Sequence, residues 1–153
     1  MTVTNPAIRA ATGADLPGIV TLLEASDLPT VGVADALPGF FVADDGTRIV
    51  GVVGVETCCR EYALLRSTAV DPTWRGRGLG RRLVERAVQH AEAKGVEALY
   101  LLTTTAETYF PSFGFSTIGR DAVPDAVKRT DEFRSACPAS ATVMTRALAP
   151  SIK

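Results

Sequence analysis

This chain has no excess of charge of either sign, little sulfur and no long apolar run. Sixteen lysines and arginines face seventeen aspartates and glutamates, a formal net charge of −1 over 153 residues. Without a surplus of positive charge, nothing calls for nucleic acid or an anionic membrane surface as a partner. Cysteine occurs only three times, with Cys58 and Cys59 adjacent, which is no disulfide framework. The expected compartment is therefore a reducing one, the cytoplasm. No stretch approaches the ~18 apolar residues that cross a bilayer. The opening M-T-V-T-N-P-A-I-R lacks the charged-then-apolar pattern of a signal peptide. The single histidine, His90, sits among Gln89 and Glu92 and reads as solvent-exposed. Neighbouring cysteines alternate in direction and make a poor zinc pair, so no metal is expected.

Apolar residues make up 46% and charged residues 22% of the chain, ordinary values for one globular domain spanning 1–153. The organising stretch is Thr68–Val84, T-A-V-D-P-T-W-R-G-R-G-L-G-R-R-L-V. A β-branched strand end is stopped by Asp71-Pro72, and Gly76, Gly78 and Gly80 then alternate with Arg75, Arg77 and Leu79. Leu79, Leu83, Ala87 and Ala91 recur at helical spacing, so a helix is expected from about Leu79 to Ala93, stopped at Lys94-Gly95. A glycine-rich loop feeding a helix N-terminus offers free N–H groups and the positive dipole end to an anion. Arg75, Arg77, Arg81 and Arg82 add charge. The pattern reads as a diphosphate cradle. A Lys-Ser/Thr pair is missing after the last glycine, which excludes a Walker loop. The G-x-G-x-G spacing differs from the dinucleotide fingerprint.

Strands are expected at Ala7–Ala10, Phe40–Val42, Ile49–Val55, Tyr62–Val70, Ala98–Leu102, after Phe115, and at Thr142–Leu148. Helices are expected through Leu16–Leu23, over Ala106–Phe113 and over Pro124–Arg134, with one turn near Val33–Leu37 in the Asp27–Gly39 loop. Arg9 reads as exposed, and Thr12 or Asp15 as the first helix cap. The order is α/β.

The spacing R-x-x-G-x-G (Arg75, Gly78, Gly80) after a strand ending in V-D-P resembles motif A of the GNAT superfamily of N-acetyltransferases. Thr103–Phe115 (T-T-T-A-E-T-Y-F-P-S-F-G-F) resembles its motif B. The likeness implies the GNAT fold, a mixed central sheet of about six to seven strands flanked by about four helices. It also implies acetyl-CoA as co-substrate, with no metal, and direct attack by an amine within a ternary complex. The cofactor residues it implies are Ala69, Val70, Arg75, Gly76, Arg77, Gly78, Leu79, Gly80, Arg81, Thr103 and Phe110. Thr103 stands where the family usually has Asn. Backbone N–H groups at Ala69 and Val70 would polarise the thioester. Phe110 stands where the family often has its acidic Tyr. Tyr109, one place earlier, reads either as a displaced general acid or as a tyrosine packed at the core edge.

Glu61 and Glu56 are candidate bases, each equally readable as a solvated carboxylate. Arg66 reads either as an anion ligand facing the acceptor, with Ser67 and Ser140 nearby, or as an arginine on the outer face. Trp74 packs on strand ends or on adenine. The strings L-L-R-S (64–67), L-Y-L-L-T-T-T-A (99–106) and C-P-A-S-A-x-V-M (137–144) are similar to the GNAT subgroup of arsenic-resistance operons. That implies a small, anionic amino-acid-like acceptor, such as an arsenical or phosphinic glutamate analogue. A peptide acceptor, or an acyl-CoA sensor without turnover, are the other readings. Many GNAT proteins are homodimers, and the sequence leaves this open.

Overall fold

The computed structural model describes residues 6–103, 109–130, 133 and 141–148. Seven strands form one mixed sheet: β1 (Ala7–Ala10), β2 (Phe40–Asp44), β3 (Ile49–Thr57), β4 (Tyr62–Val70), β5 (Ala98–Thr103), β6 (Ser116–Ile118) and β7 (Thr142–Ala147). Their order is β1-β2-β3-β4-β5-β7-β6. Four α-helices are described: α1 (Leu16–Ala25), α2 (Val33–Ala36), α3 (Leu79–Ala93) and α4 (Asp125–Lys128). The loop before β2 thus holds the expected helical turn at α2, followed by a 3-10 turn at Leu37–Gly39.

All neighbouring strands run antiparallel except β4 and β5. Those two pair in parallel only at Tyr62↔Ala98, Ala63↔Leu99 and Leu64↔Tyr100. Beyond Leu64 the strands diverge, and Leu65–Val70 of β4 face a splay instead of a ladder.

Alternation along the strands sends side chains to two apolar layers. On one face, Leu83, Val84, Ala87, Val88 and Ala91 of α3 pack on Phe41, Val53, Leu65, Leu99 and Met144. On the other, Ile19, Leu22 and Leu23 of α1 and Val33 of α2 cover Phe40, Val42, Val52 and Ala69. Val127 of α4 joins Leu64, Tyr100 and Val143 in a third cluster. The Phe40 ring crosses β3 directly over Gly54, where a Cβ would stand 2.5 Å from the ring.

The pairing of β3 with β4 slips by one residue between Val52↔Ala69 and Gly54↔Arg66. Ser67 and Thr68 therefore share a single partner position, Val53, and Ser67 takes φ 59°. This β-bulge lies in β4, opposite the glycine-containing stretch of β3. It changes the parity of the strand. Leu64 packs in the layer of α4, whereas Ala69, five residues on, packs in the layer of α1 on the same face.

Arg9 is held by ion pairs to Asp15 at 2.7 Å and to Asp44 at 3.0 Å, so it is half-buried, not a free surface arginine. Asp15 also accepts from the Thr12 N–H and hydroxyl at 2.8 and 3.1 Å, and so ties β1 to the start of α1. These bonds hold the Asp15 carboxyl well below its ordinary value, first through Arg9. Asp71 is held low in the same way by Arg48, then Thr73. A depressed carboxyl stabilises the fold above its unfolded pKa, roughly 3.9, and loses that contribution as pH falls through the folded value. The melting temperature should therefore be flat from neutrality to about pH 5 and fall steadily below it. Asp15→Asn should lower the plateau and flatten that acid slope, as measured by thermal melts across pH.

Candidate active site

The glycine loop adopts the conformation its composition suggests. Gly76 and Gly78 have φ of 78° and 81°, and Gly78 is the left-handed N-cap of α3. The first bond of the helix runs from Arg82 N–H to Gly78 O at 3.2 Å, which leaves the N–H groups of Leu79, Gly80 and Arg81 without a helical acceptor. Arg77 lies over the Trp74 ring at 5.0 Å, and Arg81 over the Phe113 ring at 4.8 Å. Trp74, in the 3-10 turn Pro72–Trp74, packs on the α3-side core. Arg75 Nε donates to Val70 O at 3.2 Å, joining the loop to the last residue of β4. A diphosphate fits this cradle: three convergent N–H groups, a helix dipole and exposed guanidinium groups beside it.

The splay begins where the cradle ends. Asp71 N–H donates to Val50 O at 2.8 Å. Successive N–H groups of a strand point to opposite sides, so Ala69 N–H faces β3 and Val70 N–H faces the splay. Of the two backbone donors expected from the sequence, Val70 is the one turned to the gap. Thr103 ends β5 on the other side of that gap, in register with Thr142.

Tyr109 and Phe110 are neighbours in sequence but differ in surroundings. Phe110 is buried in the α3-side core and stacks edge-on against Phe115 at 5.9 Å. Tyr109 precedes the 3-10 turn Phe110–Phe113 and is 40% exposed. A Cβ on Gly80 would meet the Tyr109 hydroxyl at 2.9 Å and Val70 Cγ2 at 3.8 Å. The hydroxyl thus lies against the first turn of α3 beside Val70, and the missing side chain of Gly80 makes room for it. Partial burial pushes the phenol above its ordinary value, against a smaller opposite influence of Arg81, so it keeps its proton at neutral pH. The expected helix over 106–113 is this single turn where described, since residues 104–108 lie outside the described residues.

On the opposite face, Arg66 has a completely buried side chain, unlike either expectation for it. Its Nη1 donates to Glu56 Oε1 at 2.8 Å, its Nη2 to Val31 O at 2.7 Å and its Nε to Ser67 Oγ at 2.9 Å. One guanidinium therefore joins β3, the bulge of β4 and the loop before α2. Glu56, half-buried, is a member of this network and not a solvated carboxylate. Glu61 is exposed at the start of β4, the end away from the cradle, and its carbonyl accepts from Glu97 and Ala98 N–H. Its exposure sets it apart from Glu56, the carboxylate that Arg66 holds. Ser140 and Cys137 lie outside the described residues.

Glu56 lines two open cavities. One, of about 320 Å³, is bounded by Asp35, Gly39, His90 and Lys94. The other, of about 280 Å³, is bounded by Thr57, Cys58, Ala126, Arg129 and Thr130. His90 is half-buried and edge-on to Phe41 at 5.1 Å, in place of the exposed position expected for it. Burial, then Lys94 and Arg86, push its pKa down. Among the described residues no group of three or more acidic, histidine or cysteine side chains is arranged for a metal, and no helix is long and apolar enough to cross a membrane.

Residues 37–117, from the turn before β2 to β6, match the model of the acetyltransferase (GNAT) domain. The chain belongs to the GNAT family. Its sheet order, bulged β4, splay and glycine cradle form the GNAT fold. An uncharacterised N-acetyltransferase of Chlorobaculum tepidum, CT2212, is 29% identical over 97 residues, 63% of this chain and 62% of that protein. The amino-acid acetyltransferase of Mycobacterium tuberculosis is 27% identical over 123 residues, 74% of this chain and 70% of that one. The ribosomal protein bS18-alanine N-acetyltransferase of Salmonella typhimurium is 37% identical over 86 residues, 52% of this chain and 58% of the other. The matched segment thus spans about three fifths of the first of these relatives. N-acetylglutamate synthase of Neisseria gonorrhoeae, solved with coenzyme A and N-acetyl-glutamate, superposes with a TM-score of 0.80 at 21% identity. The match covers 94% of this chain and 35% of that one, and it is a likeness of fold.

Proposed function

We propose that this GNAT domain transfers acetyl from acetyl-CoA to the amino group of a small amino-acid-like molecule. The observation that carries the reading is the continuity of the cradle at Gly76–Gly80 with the open edge of β4, where Val70 N–H meets the splay. When bound, acetyl-CoA supplies an activated thioester carbonyl. The cradle residues Arg75 to Arg81 hold the diphosphate. Val70 N–H donates to developing negative charge at the end of the splay, and Thr103 contributes a hydroxyl from the other side.

Tyr109 is the group placed to return a proton to the departing thiolate, because its hydroxyl lies beside Val70 and stays protonated. Tyr109→Phe should lower kcat by about 10²-fold, within the range for loss of a general acid, with coenzyme A affinity nearly unchanged. Steady-state kinetics and calorimetric titration together check this. An unchanged kcat would remove Tyr109 from the chemistry.

For the acceptor, Glu56 replaces Glu61 as the carboxylate of choice. It lines both cavities, Arg66 fixes its position, and it attracts an ammonium. The smaller cavity is lined by exposed Arg129 as well as by Glu56, so its wall offers a zwitterion both charges. Within this reading Arg66 positions Glu56, and Arg129 takes the acceptor's anionic group. The similarity of the three strings at 64–67, 99–106 and 137–144 to the arsenic-operon subgroup supports an arsenical or phosphinic glutamate analogue as that acceptor.

Thiol release from acetyl-CoA, measured with a panel of neutral and anionic amino acids, glutamate analogues and an alanine-initiated peptide, tests the proposal. Turnover with amino acids is expected, with lower KM for anionic ones. Arg129→Ala should raise KM roughly tenfold for anionic acceptors alone. Preference for the peptide would favour the second reading, a protein N-terminal acetyltransferase, which the Salmonella relative supports. Coenzyme A binding without any turnover would leave an acyl-CoA sensor.

A further inference from the structure

Cys58 and Cys59 lie in the connection from β3 to β4. Adjacent residues in a strand point to opposite sides, but these two have left the strand. Their sulfurs converge to 3.1 Å. Both are directed at one acceptor, the Tyr62 carbonyl, at 3.3 Å from Cys58 Sγ and 3.9 Å from Cys59 Sγ. Cys58 also lines the cavity bounded by Glu56, Ala126 and Arg129. Both cysteines are free and half-buried.

The sulfur separation selects among thiophilic ligands. Two bonds of ~2.3 Å to one tetrahedral zinc ion hold the sulfurs roughly 3.8 Å apart. At the observed 3.1 Å, bonds of that length subtend about 85° at the shared atom. Such a near-right angle belongs to a trivalent p-block centre, which bonds through nearly unhybridised p orbitals and carries a lone pair. No third cysteine, histidine or carboxylate completes a metal set among the described residues, which also disfavours zinc. A monosubstituted metalloid needs no third protein ligand, because it brings its own substituent. The cavity beside Cys58 has space for that substituent.

We propose that Cys58 and Cys59 form a vicinal dithiol site for a monosubstituted trivalent metalloid, exemplified by an organic arsenoxide. The reaction is a condensation. Two S–As bonds form, the oxide oxygen leaves as water with both thiol protons, and no element changes oxidation state. The ring closes on adjacent residues, so a monothiol cannot compete with it on equal terms. Burial, and then the neighbouring Cys59, push the Cys58 thiol up to about 12, so it stays protonated at neutral pH. Simple alkylating agents, which need a thiolate, are thereby disfavoured at this sulfur.

The site borders the cavity proposed for the acceptor, but metalloid binding needs no acetyl transfer and its test requires no acetyl-CoA. The full chain is treated with phenylarsine oxide and its intact mass measured. One phenylarsenic group should bind per chain with loss of one water. The adduct should survive excess 2-mercaptoethanol and be removed by a small dithiol. It should be absent from Cys58→Ser and from Cys59→Ser, each checked for an unchanged melting profile, and retained in Cys137→Ser. Cys58→Ala and Cys59→Ala serve where a serine variant melts early. An adduct that persists in either single variant, requires Cys137, or washes out with monothiol overturns the proposal.

Discussion

Arg66→Ala is expected to cost about 3–5 kcal/mol of folding stability, the range for removing one partner of a buried ion pair. The Arg66 side chain is 0% exposed and that of Glu56 13%. Truncation removes the guanidinium that donates to the Glu56 carboxylate at 2.8 Å. It also leaves Val31 O and Ser67 Oγ without the donors that reach them at 2.7 and 2.9 Å. Domains of this size hold ~5–15 kcal/mol in all, so the loss could approach half of the total. Urea or thermal unfolding gives the number directly. A loss under about 1 kcal/mol would show that the pair is not buried in solution. Arg66→Met combined with Glu56→Gln should recover much of the loss, because both charges of this pair are then removed together. The combined variant should remain poorly active even when folded, since the carboxylate offered to the acceptor is gone. Arg66→Lys separates the two roles: it keeps a charge for Glu56 but cannot reach three acceptors on three segments.

The second large effect concerns the cradle and falls on binding instead of folding. Gly78 has φ 81°, and nothing lies within 4 Å of the position a Cβ would take. A side chain there meets no neighbour, so the obstacle is the backbone conformation itself. Leaving the left-handed region costs an ordinary residue nothing, whereas staying there costs roughly 1–2 kcal/mol, and more for a β-branched one. Gly78→Val should therefore relax the loop, re-aim the N–H groups of Leu79, Gly80 and Arg81, and weaken coenzyme A binding at least tenfold to a hundredfold. The melting temperature should change little, because the α3 core from Leu83 onward is untouched. Calorimetric titration with coenzyme A against wild type decides it, and equal affinity would move the diphosphate away from this loop.

Much of this was legible from the residues. Strand β4 and helix α3 fall at Tyr62–Val70 and Leu79–Ala93 as their patterns dictate, and two of the three loop glycines, Gly76 and Gly78, take positive φ. Such features depend on local chemistry. What escaped depends on pairing. The bulge at Ser67 exists only as a mismatch of register with β3, and without it the face of Arg66 relative to Ala69 is assigned by unbroken alternation. Glu56 and Arg66 are ten positions apart and meet only because β3 and β4 are antiparallel. A helix over Ala106–Phe113 would turn each side chain about 100° from the last, but a 3-10 turn stands at Phe110–Phe113 and orients Tyr109 differently. The alternation of adjacent side chains that sets Cys58 and Cys59 apart does not hold in the connection where they lie. Gly80 was the available signal for Tyr109: a glycine in the first turn of a long helix marks the close approach of another group.

The short contact between β4 and β5 has a mechanical consequence. Only three residue pairs, Tyr62↔Ala98 to Leu64↔Tyr100, stitch the first four strands to the last three. The seven-stranded sheet therefore behaves as two panels joined at one corner, with α3 lying across the joint as a brace through contacts to Phe41 and Val53 on one side and Leu99 and Met144 on the other. Panels joined this way can open and close about the corner while each ladder stays intact. The width of the gap is then set by how firmly α3 grips both sides, which places control of the gap on the helix that also forms the cradle.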